Sequence, residues 1–258
     1  MQFGLSQLKN WLQRRMSGYG GLGAQPELMA RLSHELRTSL TGIVGYAQFL
    51  EVGSAEPMMN FTAKIIRESG QHLTRTSHAF FDLYALQQGQ LRLTSERFVL
   101  SDLAREVVKS HQVYATEREV SLGFTSAEAV MTQLIRADEG RMRQVLDALV
   151  FGAVHVAQKW SIVHVDLALD ASQANWVLSV VTSGVPMDPV ELGLLHAFWC
   201  DDDYRFKLQE GPGIELALAK ALIGFLGGTA QLQMAVGEAP CLCVMFPCHP
   251  VDQNKGLR

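Results

Sequence analysis

Two long stretches of the chain repeat apolar residues at the spacing of an α-helix. After Pro26, apolar residues recur every three or four positions, at Leu28, Leu32, Leu36, Leu40, Ile43, Ala47 and Leu50. A second stripe follows the turn-forming segment VGSAEP and contains Met58, Phe61, Ile65, Leu73, Phe80 and Leu83. Both spacings place apolar side chains on one helical face, so the sequence predicts a helical hairpin. Two such hairpins would bury each other's stripes, and we therefore expect a homodimeric four-helix bundle through residues 26–90.

Beyond Gly89 the pattern changes to short alternating stretches mixed with helical segments. Strands are predicted over residues 91–100, 120–127, 161–171, 175–184, 229–236 and 240–246. Helices are predicted over residues 101–117, with Ser101 as N-cap, and over residues 139–159 and 213–228. This order indicates an α/β sandwich at residues 95–250, in which helices cover one face of a sheet. The chain as a whole is therefore expected to be of the α+β class.

Residues 1–25 form a separate region, a short amphipathic segment followed by a glycine-rich linker. Residues 1–16 carry Lys9, Arg14 and Arg15 and no acidic residue. This segment is either a helix that binds a membrane surface or a partner, or a short helix packed on the rest of the chain. Contact with a membrane is expected only through these residues.

Composition excludes several classes of function. The chain has 258 residues, of which 48% are hydrophobic, and a net charge of −4, which gives no basic surface for nucleic acid. It contains neither an apolar run of about 18 residues nor the apolar core of a secretory signal, so we expect a cytoplasmic protein. Its cysteines, including those of the CLC segment, are expected to be buried, reduced strand residues, and no metal site is predicted; they are Cys200, Cys241, Cys243 and Cys248.

One histidine lies off the first apolar stripe. At about 100° per residue, His34 lies about 200° from both Leu32 and Leu36, so it points away from the buried face. Thr38, one turn later, lies on the side of the histidine. An exposed histidine usually belongs to a solvated polar face. A neutral imidazole is also a nucleophile, however, and the neighbouring Glu35 can accept its proton.

The segment SHELRTSLTGI resembles the H-box of two-component sensor histidine kinases, whose pattern is S-H-E-x-R-T-P-L. Ser39 stands where that family usually has a proline that bends the helix. The resemblance implies that His34 is the phospho-acceptor, that Glu35 is a general base, and that Thr38 positions a water for phosphatase activity. It covers roughly residues 27–248 and implies that the sandwich is of the histidine-kinase ATPase type.

Two of the family's nucleotide-binding boxes are altered. Residues 138–157 are similar to the N-box helix, but Gly152 stands where the family has the asparagine that binds Mg²⁺, an ion that requires oxygen ligands. The segment VTSGVP resembles the box D-x-G-x-G-I-P. There, Thr182 replaces the adenine-binding aspartate, Gly184 is retained and Pro186 replaces the second glycine.

The last glycine box is altered as well. GPGIELALAK resembles G-x-G-L-G-L-A-I-V-K, with Gly211 and Gly213 retained and Glu215 in place of the third glycine. A carboxylate at this position would repel a triphosphate. The preceding lid segment, residues 200–210, is also rich in acids. We therefore expect no cofactor, with ATP and Mg²⁺ bound only if an atypical site still works.

The resemblance and the altered boxes together leave three functional hypotheses. The favoured one is a protein that carries phosphoryl groups on His34 and exchanges them with a response-regulator receiver domain, by phosphotransfer or as a phosphatase. The second is an ATP-dependent histidine kinase with an unusual nucleotide site. The third is a pseudokinase scaffold that binds a response regulator or pairs with an active kinase.

Overall fold

A computed structural model describes residues 36, 38–47, 50, 56–200, 213–234 and 239–248 of the chain. The chain divides into two compact units, Met1–Thr76 and Ser77–Arg258. Within the described residues, each helix is too short or too polar to cross a bilayer. The segments predicted at residues 1–25 lie outside the described residues.

The predicted helical hairpin is confirmed. Its helices are α1, which covers residues 38–47, and α2, Glu56–Gln87. In the first unit, Tyr46 on α1 meets Phe61 on α2 edge to face, with their ring centroids 6.4 Å apart. Gly42 lies so close to α2 that a Cβ there would be 2.8 Å from Oγ of Ser69. Small and aromatic residues thus set how closely the two helices approach.

The described residues of the second unit form two sheets and five further α-helices, together with a short 3-10 helix at Glu128–Val130. The helices are α3 (Leu100–Ser110), α4 (Gln112–Glu117), α5 (Glu139–Val156), α6 (Pro189–Cys200) and α7 (Gly213–Phe225). The strands are β1 (Glu96–Val99), β2 (Ser121–Ser126), β3 (Leu134–Ala137), β4 (Ile162–Leu169), β5 (Asn175–Ser183), β6 (Thr229–Gln233) and β7 (Cys241–Pro247). Strands β1 and β3 form a small antiparallel sheet. The main sheet has the order β2-β4-β5-β7-β6, and only its β2–β4 pair is parallel.

Burial alternates along the central strands, as expected for a sheet covered on one face. Val163 and Val165 on β4 are fully buried, and Trp176 and Leu178 on β5 are at most 2% exposed. On the opposite face, Ile162 stays 48% exposed. The predicted sandwich is therefore confirmed, with its core between the helices and one face of the sheet.

Several local predictions differ from the structure. The predicted strand at residues 91–100 is limited to β1, and the helix predicted over residues 101–117 is divided at His111 into α3 and α4. Ser101 is not the N-cap, because α3 begins one residue earlier and Val99 precedes it. The Ser101 hydroxyl instead donates a hydrogen bond of 3.1 Å to the carbonyl of Met131. The Ser101 side chain is therefore held by a residue distant in sequence and does not cap the helix.

Strand β3 and helix α6 were not predicted, and Cys200, which was predicted to be a buried strand residue, is exposed at the end of α6. Strand β3 has four residues and is formed by pairing with β1, which local sequence does not reveal. The α6 segment PVELGLLHAFWC is apolar on most sides and therefore shows little helical periodicity. A start signal was nevertheless present, because Pro189 is well suited to a first helical position and Asp188 precedes it. The Asp188 carboxylate accepts a hydrogen bond of 2.9 Å from the amide of Val190.

Candidate functional site

The phospho-acceptor segment is described only from its second half. His34 and Glu35 lie outside the described residues, whereas Thr38 lies on α1 with its side chain exposed. Leu36 is buried, with 8% of its surface exposed. Ser39, which replaces the family's proline, is only 4% exposed. The exposed threonine and the buried leucine lie on the sides of the helix that the stripe predicts. The assignment of His34 as phospho-acceptor stays a prediction.

Two altered box positions meet at one pocket in the second unit. Gly152 on α5 and Thr182 on β5 both line it. Gly213 is buried at the start of α7, and Glu215, in the first turn of that helix, is 8% exposed. Gly184 follows β5 with a φ of 99°, a backbone conformation that favours glycine. Gly211 and residues 201–210 of the lid lie outside the described residues.

The pocket is small and lined by hydrocarbon. Its volume is about 50 Å³. Among the described residues that line it, only Thr182 and Trp199 have a nitrogen or oxygen atom in their side chains, and the other lining residues are Leu149, Gly152, Ala153, Val156, Val180, Met187, Leu192, Leu195, Leu216, Leu232, Pro240 and Leu242. The Thr182 amide is already engaged, because it donates a hydrogen bond of 3.2 Å to the carbonyl of Pro240. The lining therefore offers very few polar groups to a ligand.

Leu216 occupies the space beside Gly152. A Cβ at position 152 would lie 3.3 Å from Cδ2 of Leu216 and 3.5 Å from its Cδ1. An asparagine at this position would require the leucine side chain to move. Leu216 can thus pack at this place because position 152 has no side chain.

Helix α6 closes the pocket on another side, which the sequence did not predict. Leu192, Leu195 and Trp199 of this helix face the pocket, and Trp199 is only 4% exposed. Lys220 of α7 holds the end of α6, because its Nζ donates a hydrogen bond of 2.7 Å to the carbonyl of Phe198. The same ammonium lies 5.4 Å from the centre of the Phe198 ring. A cation at the C-terminal end of a helix stabilises it, so α6 is fixed in this position.

Comparison with known proteins gives the family. Residues 24–89 match the His Kinase A (phospho-acceptor) domain. The circadian input-output histidine kinase CikA of Synechococcus elongatus is 29% identical over 241 residues, which are 91% of this chain and 32% of that protein. The chain thus spans about a third of the length of this curated relative.

Solved structures agree in fold. Histidine kinase AdeS of Acinetobacter baumannii matches with a TM-score of 0.60 and 21% identity, over 83% of this chain and 98% of that one. Histidine kinase ThkA, solved in complex with the response regulator TrrA, matches with a TM-score of 0.59 and 19% identity, over 96% of this chain and 68% of that one. The fold and the matches thus agree on a phospho-acceptor domain followed by an α/β sandwich of the type found in histidine kinases. Residues 24–89 thus belong to the His Kinase A (phospho-acceptor) domain family, and most of the chain is similar to sensor histidine kinases.

Proposed function

We propose that this protein exchanges phosphoryl groups between His34 and an aspartate of a response-regulator receiver domain. The phospho-acceptor match includes His34, Glu35 and Thr38, whose spacing in the sequence, four residues from first to last, corresponds to about one turn of an α-helix. The complex of ThkA with a response regulator supports a receiver domain as the partner. Similarity to the family alone does not distinguish this activity from ATP-dependent autophosphorylation.

The transfer needs only groups from the two proteins. The phosphoryl group leaves the carboxylate oxygen of the receiver's aspartyl phosphate and bonds to one imidazole nitrogen of His34. Glu35 accepts the proton from the other ring nitrogen, which keeps the attacking nitrogen nucleophilic. For the phosphatase reaction, the Thr38 hydroxyl orients the water that attacks the aspartyl phosphate.

The observation that carries the proposal is the pocket at the nucleotide boxes. About 50 Å³ lined by hydrocarbon is far below the roughly 300–1,000 Å³ of ordinary ligand pockets. Gly152 offers no oxygen to Mg²⁺, and the Glu215 carboxylate lies in the helical turn where a phosphate cradle needs backbone amides. These described residues fit ATP and Mg²⁺ poorly, which supports a partner as the source of the phosphoryl group.

The hairpin supports a homodimer through residues 26–90. Val44 on α1 is 51% exposed, and on α2 Met59 is 46% and Phe61 54% exposed. Apolar side chains with this exposure in adjacent helices are suited to the interface of a four-helix bundle.

Cytoplasmic localisation is part of the same proposal, since the protein's four cysteines are all unpaired, as is usual in a reducing compartment.

Transfer of label from a receiver domain tests the proposal. The full chain is mixed with a receiver domain that carries labelled aspartyl phosphate, and the label on each protein is followed. We expect label on the wild-type chain and at least about a 100-fold loss in His34→Ala. Thr38→Ala is the matched control: it should still accept label, while dephosphorylation of the receiver slows about 10- to 100-fold.

A parallel reaction with γ-labelled ATP and Mg²⁺ distinguishes the competing functions. We expect no label on the wild-type chain, and label on His34 from ATP would contradict the proposal in favour of an autokinase. Receiver binding without transfer or dephosphorylation would contradict it in favour of a scaffold. The combined variant Gly152→Asn, Thr182→Asp and Glu215→Gly should gain binding of a fluorescent ATP analogue.

A further inference from the structure

The face of the main sheet that the helices leave open carries a pair of thiols. Cys241 and Cys243 lie two residues apart on β7, so their side chains project from the same face. Leu242 between them points into the core and is 9% exposed, whereas both cysteines are half-buried. Both sulfurs therefore lie on the side that solvent can reach.

A serine on the neighbouring strand completes the cluster. Ser179 on β5 lies directly opposite Cys243, and its Oγ is 3.6 Å from the Cys243 Sγ. Burial raises the pKa of the Cys241 thiol and the adjacent Cys243 raises it further, so the thiol stays protonated at neutral pH unless a ligand displaces the proton.

The strand geometry disfavours a disulfide between these thiols. Residues two apart in an extended strand have Cα atoms about 6.7 Å apart, at the upper end of the range that a disulfide spans. Strand β7 is hydrogen bonded to β5 on one side and to β6 on the other, which holds its backbone extended. The two sulfurs are thus held side by side as a dithiol.

The ligand that suits such a pair is a soft cation. Within the described residues, no group of three or more His, Cys, Asp or Glu side chains is placed to hold a metal ion, whereas structural zinc takes four ligands. Thiolates select soft ions such as Cu(I), for which two sulfur ligands suffice. We propose that Cys241 and Cys243 bind one monovalent soft cation of the Cu(I) type between their sulfurs.

Binding is a proton exchange without redox change. Two S–H groups lose their protons to solvent, two S–Cu bonds form, and the bound pair of thiolates with Cu(I) carries one negative charge. The Ser179 hydroxyl donates a hydrogen bond to a thiolate and offsets part of this charge. Because two protons are released, the affinity should rise with pH.

Competition against a Cu(I) chelator of known affinity tests the site. The reduced full chain is titrated with Cu(I) under anaerobic conditions, and the wild type should retain one Cu(I) per chain. The variant Cys241→Ser with Cys243→Ser should bind at least about 100-fold more weakly, and Ser179→Ala about 10-fold more weakly. The matched control, Cys200→Ser with Cys248→Ser, removes the other two thiols and should bind as the wild type does.

A second measurement needs no variant. Phenylarsine oxide condenses with two neighbouring thiols and releases one water, so it should protect Cys241 and Cys243 together from alkylation, as read by mass spectrometry. Protection of only one of them would contradict a bidentate site. Equal Cu(I) retention by the wild type and the Cys241→Ser, Cys243→Ser variant, with both folded by circular dichroism, would overturn the proposal.

Discussion

At the scale of single residues, helix α2 contains a buried hydroxyl that should lower the free energy of unfolding. Thr62 is fully buried, and within the described residues its Oγ1 has no hydrogen-bond partner. An unsatisfied buried hydroxyl costs about 1–3 kcal/mol. We expect Thr62→Val to raise the free energy of unfolding by about 1 kcal/mol, measured by chemical denaturation at a fixed protein concentration.

The same helix offers a matched control for this change. The Thr74 hydroxyl is exposed and donates a hydrogen bond of 2.9 Å to the carbonyl of Gly70. Thr74→Val should therefore alter stability by no more than about 0.5 kcal/mol. If Thr62→Val were less stable than the wild type, the Thr62 hydroxyl would have to be satisfied in the folded protein.

The residues of the candidate site differ in how far sequence could predict them. The H-box is contiguous, so His34, Glu35 and Thr38 could be assigned from one short segment, and this assignment stays a prediction. The departures at Gly152 and Thr182 were visible because each lies in a recognisable box. The position of Leu216 beside Gly152 was not predictable, since it depends on how α5 and α7 pack.

At the scale of elements, one carboxylate joins the start of α5 to the segment that precedes β1. Oδ1 of Asp138 accepts a hydrogen bond of 2.9 Å from the amide of Arg141 and so caps the helix. Its Oδ2 accepts hydrogen bonds from the amide and the hydroxyl of Thr94, at 2.8 and 3.0 Å. Asp138 is 7% exposed, so these bonds have little competition from water.

Removal of this carboxylate should destabilise the second unit. Loss of the cap costs about 0.5–2 kcal/mol, and loss of the hydrogen bonds from Thr94, which is itself exposed, costs about 0.5–1.5 kcal/mol more. We expect Asp138→Ala to lower the free energy of unfolding by about 2–3 kcal/mol in chemical denaturation. Asp188→Ala, which removes the exposed cap of α6, should cost about 1 kcal/mol or less. Equal losses in the two variants would show that the Thr94 bonds contribute nothing.

The elements predicted correctly share a strong local pattern. The strands at β4 and β5 alternate clearly, and α5 and α7 have long helical segments bounded by recognisable start or stop residues. The division of the helix at His111 was not predicted, because the residues on both sides favour a helix. In the structure, His111 lies 3.2 Å from the Asp147 carboxylate on α5, a tertiary contact that local sequence does not reveal.

At the scale of the whole molecule, the end of α2 belongs to the second unit, which begins at Ser77. Within that unit, the Asp82 carboxylate accepts hydrogen bonds of 2.7 Å from both Arg141 and Gln144 of α5. The predicted boundary between a hairpin ending at residue 90 and a sandwich beginning at residue 95 stays a prediction. These polar contacts couple the last turns of α2 to the sandwich across that boundary.

Asp82→Ala tests whether this coupling stabilises the protein. The side chains of Asp82 and Arg141 are 23% and 22% exposed, so their ion pair is less screened than a surface pair. We expect a loss of about 1–2 kcal/mol in the free energy of unfolding, with faster hydrogen exchange in residues 88–95 and in the first turn of α5. Lys64→Ala breaks an exposed pair with Glu68 on the same helix and should cost less than about 0.5 kcal/mol. If exchange in residues 88–95 stayed unchanged in Asp82→Ala, the carboxylate would not be what holds this connection to the sandwich.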